Sequence, residues 1–298
     1  MLVVISGASG LIGTALTESL RADGHRVVAL VRRDARTADE SSWDPSAGRI
    51  DEKAITAADA VVNLAGASIG AKRLTDAHKR EVLKSRLDAT GLIAGALAQK
   101  GGGILIQGSA MGYYGDRGKE RLTEDKPPGH TFLSDIVTQW EAAARPAAES
   151  GVRVAYSRTG LVLSDHGGFA ERLLPLVRRG LLSGLGSGNA VHSWITLEDA
   201  VAALRHLITS DHHGPANVVS PAPVTDKALI AALAHAFGKR PGLRVPAWVL
   251  NIAVGPAVVD LFTSQVGVPA VLNDLDFEWR FPTIEAASAH LAELVNAT

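Results

Sequence analysis

The chain has 298 residues, a formal net charge of −1, 46% hydrophobic residues and no cysteine. That length buries a substantial core, enough for one large domain or one and a half. The interspersed charges leave no basic stripe for nucleic-acid phosphates and no polybasic membrane anchor, and the missing cysteine excludes disulfides, a thiol nucleophile and a thiolate metal site.

The apolar run Leu2-Val3-Val4-Ile5 reads as a strand entering Ser6-Gly7-Ala8-Ser9-Gly10-Leu11-Ile12-Gly13. Leu11, Ile12, Ala15, Leu16 and Leu20 then recur at helical spacing. A GxxGxxG turn between strand and helix is a variant of the dinucleotide fingerprint, in which close backbone approach seats a pyrophosphate on the helix N-terminus. Met1 leads straight into this strand without a leader pattern, so the expectation is a cytoplasmic protein.

Arg26 to Val31 reads as a second buried strand ending in Arg32-Arg33. An NAD site places an acid here for the ribose hydroxyls, whereas an arginine pairs with the 2′-phosphate of NADP, so Arg32 favours NADP. Ser42-Trp43-Asp44-Pro45 ends a short third strand, and Ala60 to Gly66 is a fourth strand running into a small-residue turn. Asp76 to Lys100 is a long helix with Leu83, Leu87, Thr90, Ala94 and Leu97 on its buried face. Gly103 to Ser109 is a fifth strand that runs into Ala110-Met111-Gly112-Tyr113-Tyr114-Gly115, the kind of strand end where an open α/β sheet holds its ligand.

Asp116 to His130 reads as a polar loop, Phe132 to Ala148 as one helix, and Val152 to Leu163 as one sixth strand carrying Ser157-Arg158-Thr159-Gly160. A basic helix through Leu173, Leu176 and Val177 follows Gly167-Gly168. A helix with Ala200, Leu204 and Leu207 begins at Leu197-Glu198-Asp199, and Ala216 to Ser220 is a seventh strand. Beyond Pro221 the pattern is helical with frequent prolines. The apolar stretch Val245 to Phe262 is interrupted by Pro246, Asn251, Gly255, Pro256 and Asp260, so it reads as buried or lid helices and not a bilayer span.

Alternating strands and helices imply an α/β fold, a Rossmann-like doubly wound parallel sheet with a smaller, mainly helical C-terminal cap. The expected division is 1-165 plus 190-220 for the dinucleotide-binding domain and 166-189 plus 221-298 for the cap, with ligand between them. His192 and the pair His212-His213 read as structural and solvent-facing respectively. No spacing recommends a metal site.

These motifs resemble the extended short-chain dehydrogenase/reductases, and within them the atypical sugar-nucleotide-epimerase-like (NAD-dependent epimerase/dehydratase) branch with a small conserved C-terminal domain. The resemblance rests on Ser6 to Gly13, Asn63 to Ala67, Ser85-Arg86, Ser109 to Gly115, Arg158 to Leu163, Trp194-Ile195 with Asp199, and Pro269 to Pro282. It implies NADP(H) as cofactor and a small-molecule substrate. Gly7, Ser9, Gly10, Leu11 and Ile12 then line the pyrophosphate and Arg32 approaches the 2′-phosphate. Asp44 sits at the adenine, and Leu64, Ala65 and Gly66 lie along the nucleoside. Ser85 lies near the following helix, Ser109 near the nicotinamide ribose, and Thr159 and Gly160 near the carboxamide. A homodimer through the helices at 76–100 and 132–148 is the family habit.

The sequence departs from that family where protons move. Active members use a Ser or Thr with a Tyr-x-x-x-Lys, the lysine lowering the tyrosine pKa. Here those positions hold Ala110, Leu133 and Val137. Either a phenol from Tyr113 or Tyr114, with Ser109 beside it and a charge from Lys72, Lys79 or Arg80, replaces them, or the protein binds NADP(H) without turnover as a redox sensor or interaction protein.

Overall fold

A computed structural model describes residues 1–70, 72–167, 174–185, 187–245 and 263–297. The expected basic helix after Gly167-Gly168 lies partly outside those residues, and the apolar stretch Val245 to Phe262 almost wholly so.

In chain order the first elements are β1 (Leu2–Ser6), α1 (Leu11–Ala22), β2 (Arg26–Val31), β3 (Glu40–Ser42), α2 (Glu52–Ala57), β4 (Ala60–Asn63), α3 (Asp76–Lys100), β5 (Ile104–Ala110) and β6 (Arg121–Leu122). Then come α4 (Phe132–Ala142), α5 (Arg145–Glu149), β7 (Arg153–Thr159), β8 (Leu161–Leu163), β9 (Leu182–Leu185), β10 (Val191–His192), β11 (Trp194–Thr196), α6 (Leu197–Thr209) and β12 (Gly214–Val218). The last are β13 (Val224–Thr225), α7 (Asp226–Ala236), β14 (Leu243–Val245), β15 (Val266–Gly267), α8 (Ala270–Asp274) and α9 (Ile284–Ala297).

Seven strands form the central sheet in the order β12-β7-β5-β4-β1-β2-β3, every neighbouring pair parallel. The fold is therefore Rossmann-like, as expected. Strand order reverses between β1 and β4, which makes their C-terminal ends the ligand crevice of a doubly wound sheet. Buried valines and isoleucines feed a separate core on each face. One holds Val3, Ile5, Leu16, Val62 and Ile106 against α1 and α6, and the other Val4, Val61, Ile93 and Leu97 against α3. Such strands, buried on both sides, read as continuous apolar runs.

Two expected elements divide. The helix at 132–148 breaks between α4 and α5, because Pro146 lacks the N–H that would continue the helical ladder. The strand at 152–163 breaks at Gly160, whose added Cβ would lie 2.5 Å from the Ser193 carbonyl oxygen. Past that contact β8 leaves the main sheet to pair with β11.

The cap core gathers Leu163, Leu182, Trp194, Leu229, Leu233, Ile284 and Leu291 around α7 and α9. Short paired strands (β9 with β14, β10 with β13) supplement these helices, each too brief to register as a two-residue period. The chain also returns to the central sheet: Leu272 and Phe277 pack beneath α6 in the sheet core. Asp199, buried near the start of α6, fixes this return by accepting the backbone N–H groups of Arg280 (2.8 Å) and Phe281 (3.0 Å).

Candidate functional site

The sequence-expected residues assemble along one edge of the sheet. In-register pairing sets Ser6 beside Asn63, Asn63 beside Gln107, and Ser109 and Ala110 beside Arg158 and Thr159. The turns that follow β7, β5, β4 and β1 thus lie side by side, with Arg32 after β2 and Asp44 after β3 continuing the row.

The first turn is built for close approach. Gly7 has φ +73°, and an added Cβ would stand 2.8 Å from the Leu64 carbonyl carbon and oxygen. At Gly13 it would stand 2.1 Å from the Gly7 carbonyl oxygen, so the first helical turn lies directly on the glycine loop. No side chain caps α1, and its first turn carries no acid. The amides there are left for an anion, where the helix dipole favours negative charge. Ser9 and Gly10 are exposed, and Leu11 and Ile12 half-buried.

Beneath these turns runs a buried polar network. The Ser6 hydroxyl donates to Asn63 Oδ1 (2.5 Å), while Asn63 Nδ2 donates to Gln107 Oε1 (2.9 Å) and Thr90 Oγ1 (3.0 Å). Trp140 Nε1 donates to the same Thr90 hydroxyl at 3.0 Å. This network ties the ends of β1, β4 and β5 to α3 and α4. Leu64, Ala65 and Gly66 form the turn above it. Ser85 accepts the Ala67 N–H (2.9 Å) and so holds that turn from behind.

At the next corner Arg33 is engaged by Glu40 through two bonds of 2.6 and 2.8 Å, a pairing that holds the Glu40 carboxyl down at about 2. Arg32 is exposed and makes no ion pair among the described residues. The Asp44 carboxylate accepts the Ser46 hydroxyl (2.7 Å), the Ala47 N–H (3.2 Å) and Arg49 (2.7 Å), and so shapes the turn after β3.

The chemically loaded cluster lies where β5 and β7 end. Arg158 is 3% exposed and pairs with Glu141 of α4 through Nε and Nη2, both at 2.9 Å. Burial alone would lower its pKa, but the hydrogen bonds and charge of Glu141 hold it above the ordinary value. Ser109 donates its hydroxyl to Glu141 at 2.6 Å. That bond ties the end of β5 to α4 through the carboxylate that also holds Arg158.

Tyr114 is fully buried, its hydroxyl donates to Asn217 Oδ1 (2.8 Å), and it accepts from Arg158 Nη1 (2.9 Å). Burial pushes the phenol up to about 12 despite the pull of Arg158. Tyr113 is different: it is half-buried, its ring lies 3.5 Å from the Arg158 guanidinium carbon, and its hydroxyl has no protein partner among the described residues. The cation beside a tyrosine is therefore Arg158, which sequence reasoning missed. Lys72 pairs with Glu81, Lys79 sits over the Phe132 ring, and Arg80 is exposed.

The departure in the family pattern is a real apolar contact. An added Cβ on Gly112 would lie 3.4 Å from Leu133 Cβ and 3.8 Å from Val137 Cγ2. Leu133 and Val137 thus pack onto the strand-end turn after Ala110. His192 gains a carboxylate that its sequence neighbourhood does not offer, Asp226 Oδ1 at 3.5 Å across the β10–β13 pair. His213 is exposed as expected, whereas His212 is half-buried with Nε2 3.1 Å from the Pro215 carbonyl oxygen.

With this geometry in place, comparison with known proteins gives a consistent result. Residues 3–219 match the NAD dependent epimerase/dehydratase family model, and residues 245–291 match a domain of unknown function, DUF1731. The chain belongs to the NAD dependent epimerase/dehydratase family. It is similar to the epimerase family protein Mb2239 of Mycobacterium bovis, 40% identical over 287 residues and covering 96% of this chain and 95% of that protein. Its fold matches the crystal structure of human epimerase family protein SDR39U1 with NADPH at a TM-score of 0.89 and 31% identity, covering 98% and 99% of the two chains. A nucleoside-diphosphate sugar epimerase from Corynebacterium glutamicum aligns at a TM-score of 0.79 and 33% identity, over 98% of this chain and 58% of that one. Among the described residues no helix is long and apolar enough to cross a membrane.

Proposed function

We propose that this family member is an NADP(H)-dependent oxidoreductase or epimerase-like enzyme of the cytoplasm, acting on a small polar or nucleotide-linked substrate. The residues present fit the cofactor. Gly7, Ser9, Gly10, Leu11 and Ile12 would hold the pyrophosphate on the uncapped α1 terminus, and Arg32 the 2′-phosphate. Leu64, Ala65 and Gly66 would line the nucleoside, held by Ser85, with the Asp44 turn at the adenine. Ser109, Thr159 and Gly160 would border the nicotinamide end, and the C-terminal cap would select substrate.

One observation carries the catalytic reading: the half-buried Tyr113 phenol is stacked on the buried cation Arg158, in a cluster that has lost its tyrosine–lysine pair. When bound, the nicotinamide supplies hydride transfer. The chain supplies the proton, moving it between the Tyr113 hydroxyl and a substrate oxygen while Arg158 steadies the phenolate. With NADPH and a panel of carbonyl compounds and nucleotide sugars, Tyr113→Phe is expected to lower kcat by about 10²-fold or more. Tyr114→Phe should lower stability and leave kcat within a fewfold. Turnover indifferent to Tyr113→Phe would remove that phenol from the mechanism.

The apolar packing of Leu133 and Val137 on Gly112 favours a second reading, an NADP(H)-binding redox sensor or interaction protein without turnover. Tight NADPH binding with no reaction on any compound of the panel would select it. In either reading we place a homodimer on α3 with α4 and α5. Sedimentation at micromolar protein checks this, a monomer alone counting against it.

A further inference from the structure

Among the described residues Arg86 is a cation without a counter-charge. It is half-buried, and its Nη1 donates to the carbonyls of Ala67 (2.9 Å) and Val82 (3.1 Å). Its guanidinium carbon lies 4.8 Å from the centre of the Trp140 ring. Among the described residues no carboxylate pairs with it, and no protein group accepts from Nε or Nη2, which leaves three N–H donors uncommitted. The other inward-facing guanidiniums are satisfied differently: Arg158 pairs with Glu141, and Arg153 donates to the carbonyls of Leu207, Ile208 and His212. Desolvation lowers the Arg86 pKa to about 10, the mark of a charge held where water is scarce. An uncompensated cation in such a place is unfavourable, and packing against Trp140 alone would be met as well by an apolar side chain.

Its place in the fold points at the ligand edge. An added Cβ on Gly66, in the turn after β4, would lie 3.1 Å from Arg86 Cζ. An added Cβ on Gly108, near the end of β5, would lie 3.2 Å from Trp140 Cζ2. Trp140 stands one helical turn beyond Val137, where the family lysine is missing. The guanidinium thus sits behind the turn after β4, beside the Trp140 ring and with its Nη1 edge anchored on backbone.

We propose that Arg86 is an oxyanion anchor, its uncommitted N–H edge pairing with a carboxylate or phosphate carried by the substrate. The assignment deepens the NADP(H) reading above and rests on it for where the substrate lies. A planar fork of guanidinium donors matches the two oxygens of such a group, and the anion supplies the missing counter-charge. Neutral hydroxyls would fill the hydrogen bonds and leave the charge uncompensated.

The test is calorimetric titration of protein saturated with NADP+, which keeps Arg32 engaged, using malonate, inorganic phosphate and neutral glycerol. One anion is expected to bind with one equivalent per chain and glycerol not at all, and the stronger anion separates carboxylate from phosphate substrates. Arg86→Gln, measured with NADP+ held at saturation, should weaken that anion at least tenfold. Arg86→Lys, which keeps charge without the fork, should give intermediate weakening and serves if the glutamine variant does not fold. Equal anion binding by both variants and wild type, or no anion binding to wild type at tens of millimolar, would overturn the assignment. Failure of NADP+ to bind counts against the cofactor reading alone. The same anions titrated into nucleotide-free Arg32→Ser protein with and without Arg86→Gln then decide Arg86 by difference, since the glycine turn is common to both.

Discussion

Gly13→Ala is expected to weaken NADPH binding by about 10²-fold and to destabilise the fold by about 1–3 kcal/mol, the usual range for overpacking a tight contact. The new methyl group would meet the Gly7 carbonyl oxygen at 2.1 Å and Ala8 Cα at 2.9 Å, both backbone atoms that no rotamer change can clear. Relief requires α1 to move off the glycine loop, which carries its first amides away from the anion they would hold. Leu16 and Leu20, packed in the sheet core beneath, resist that movement. Gly10→Ala is the graded comparison, since its Cβ would lie 3.3 Å from the same Gly7 oxygen and needs only a small adjustment. Gly91→Ala is the control, because that helical position has open space and gains helix propensity of about 0.5–1 kcal/mol. Fluorescence titration with NADPH and thermal melting of the three variants provide the check. Unchanged affinity in Gly13→Ala would mean that the turn does not seat the cofactor.

This turn was also the most legible part of the chain, for a physical reason. Glycine spacing, an apolar strand and a helical period are local signals, each decided within a dozen residues, and they fix the strand-to-helix geometry that the ligand edge needs. The parallel sheet was readable on the same grounds. Legibility ends where side chains from distant segments meet. Glu141 and Arg158 are 17 residues apart in sequence, and Tyr114 and Asn217 are 103 apart, so no spacing rule joins them. Tyr113 and Tyr114 look equivalent as letters. Burial alone separates them, sealing one into the core and leaving the other over the guanidinium. A charged residue at Arg158, inside an otherwise apolar strand, was the signal available, since a buried cation must find a partner. Arg86 gave a weaker signal, because on a helix with Lys79, Arg80 and Lys84 it reads as one more solvated charge. The short cap strands were invisible because two or three residues cannot establish a period.

Arg158→Met is expected to be among the most destabilising single substitutions in the chain, at about 3–5 kcal/mol, because it leaves Glu141 charged, nearly buried and served only by Ser109. The same change removes the donors to the Tyr114 hydroxyl and the Glu124 carbonyl. It should also abolish turnover, since Tyr113 loses the cation under its ring. For a chain of this size the loss corresponds to a melting point lower by roughly 5–8 °C. The double variant Glu141→Leu with Arg158→Met separates the two consequences. Removing both charges relieves the unpaired carboxylate and should recover much of the stability, because apolar replacement of a buried pair is often nearly neutral. It cannot recover turnover if the positive charge beside Tyr113 is what steadies the phenolate. Recovered folding with absent activity would therefore assign the ion pair to chemistry, whereas recovery of both would reduce it to a structural strut and return the proton to another group. Melting and NADPH-oxidation rates measured on the same preparations make the distinction, with NADPH affinity as the internal control that the glycine turn is intact.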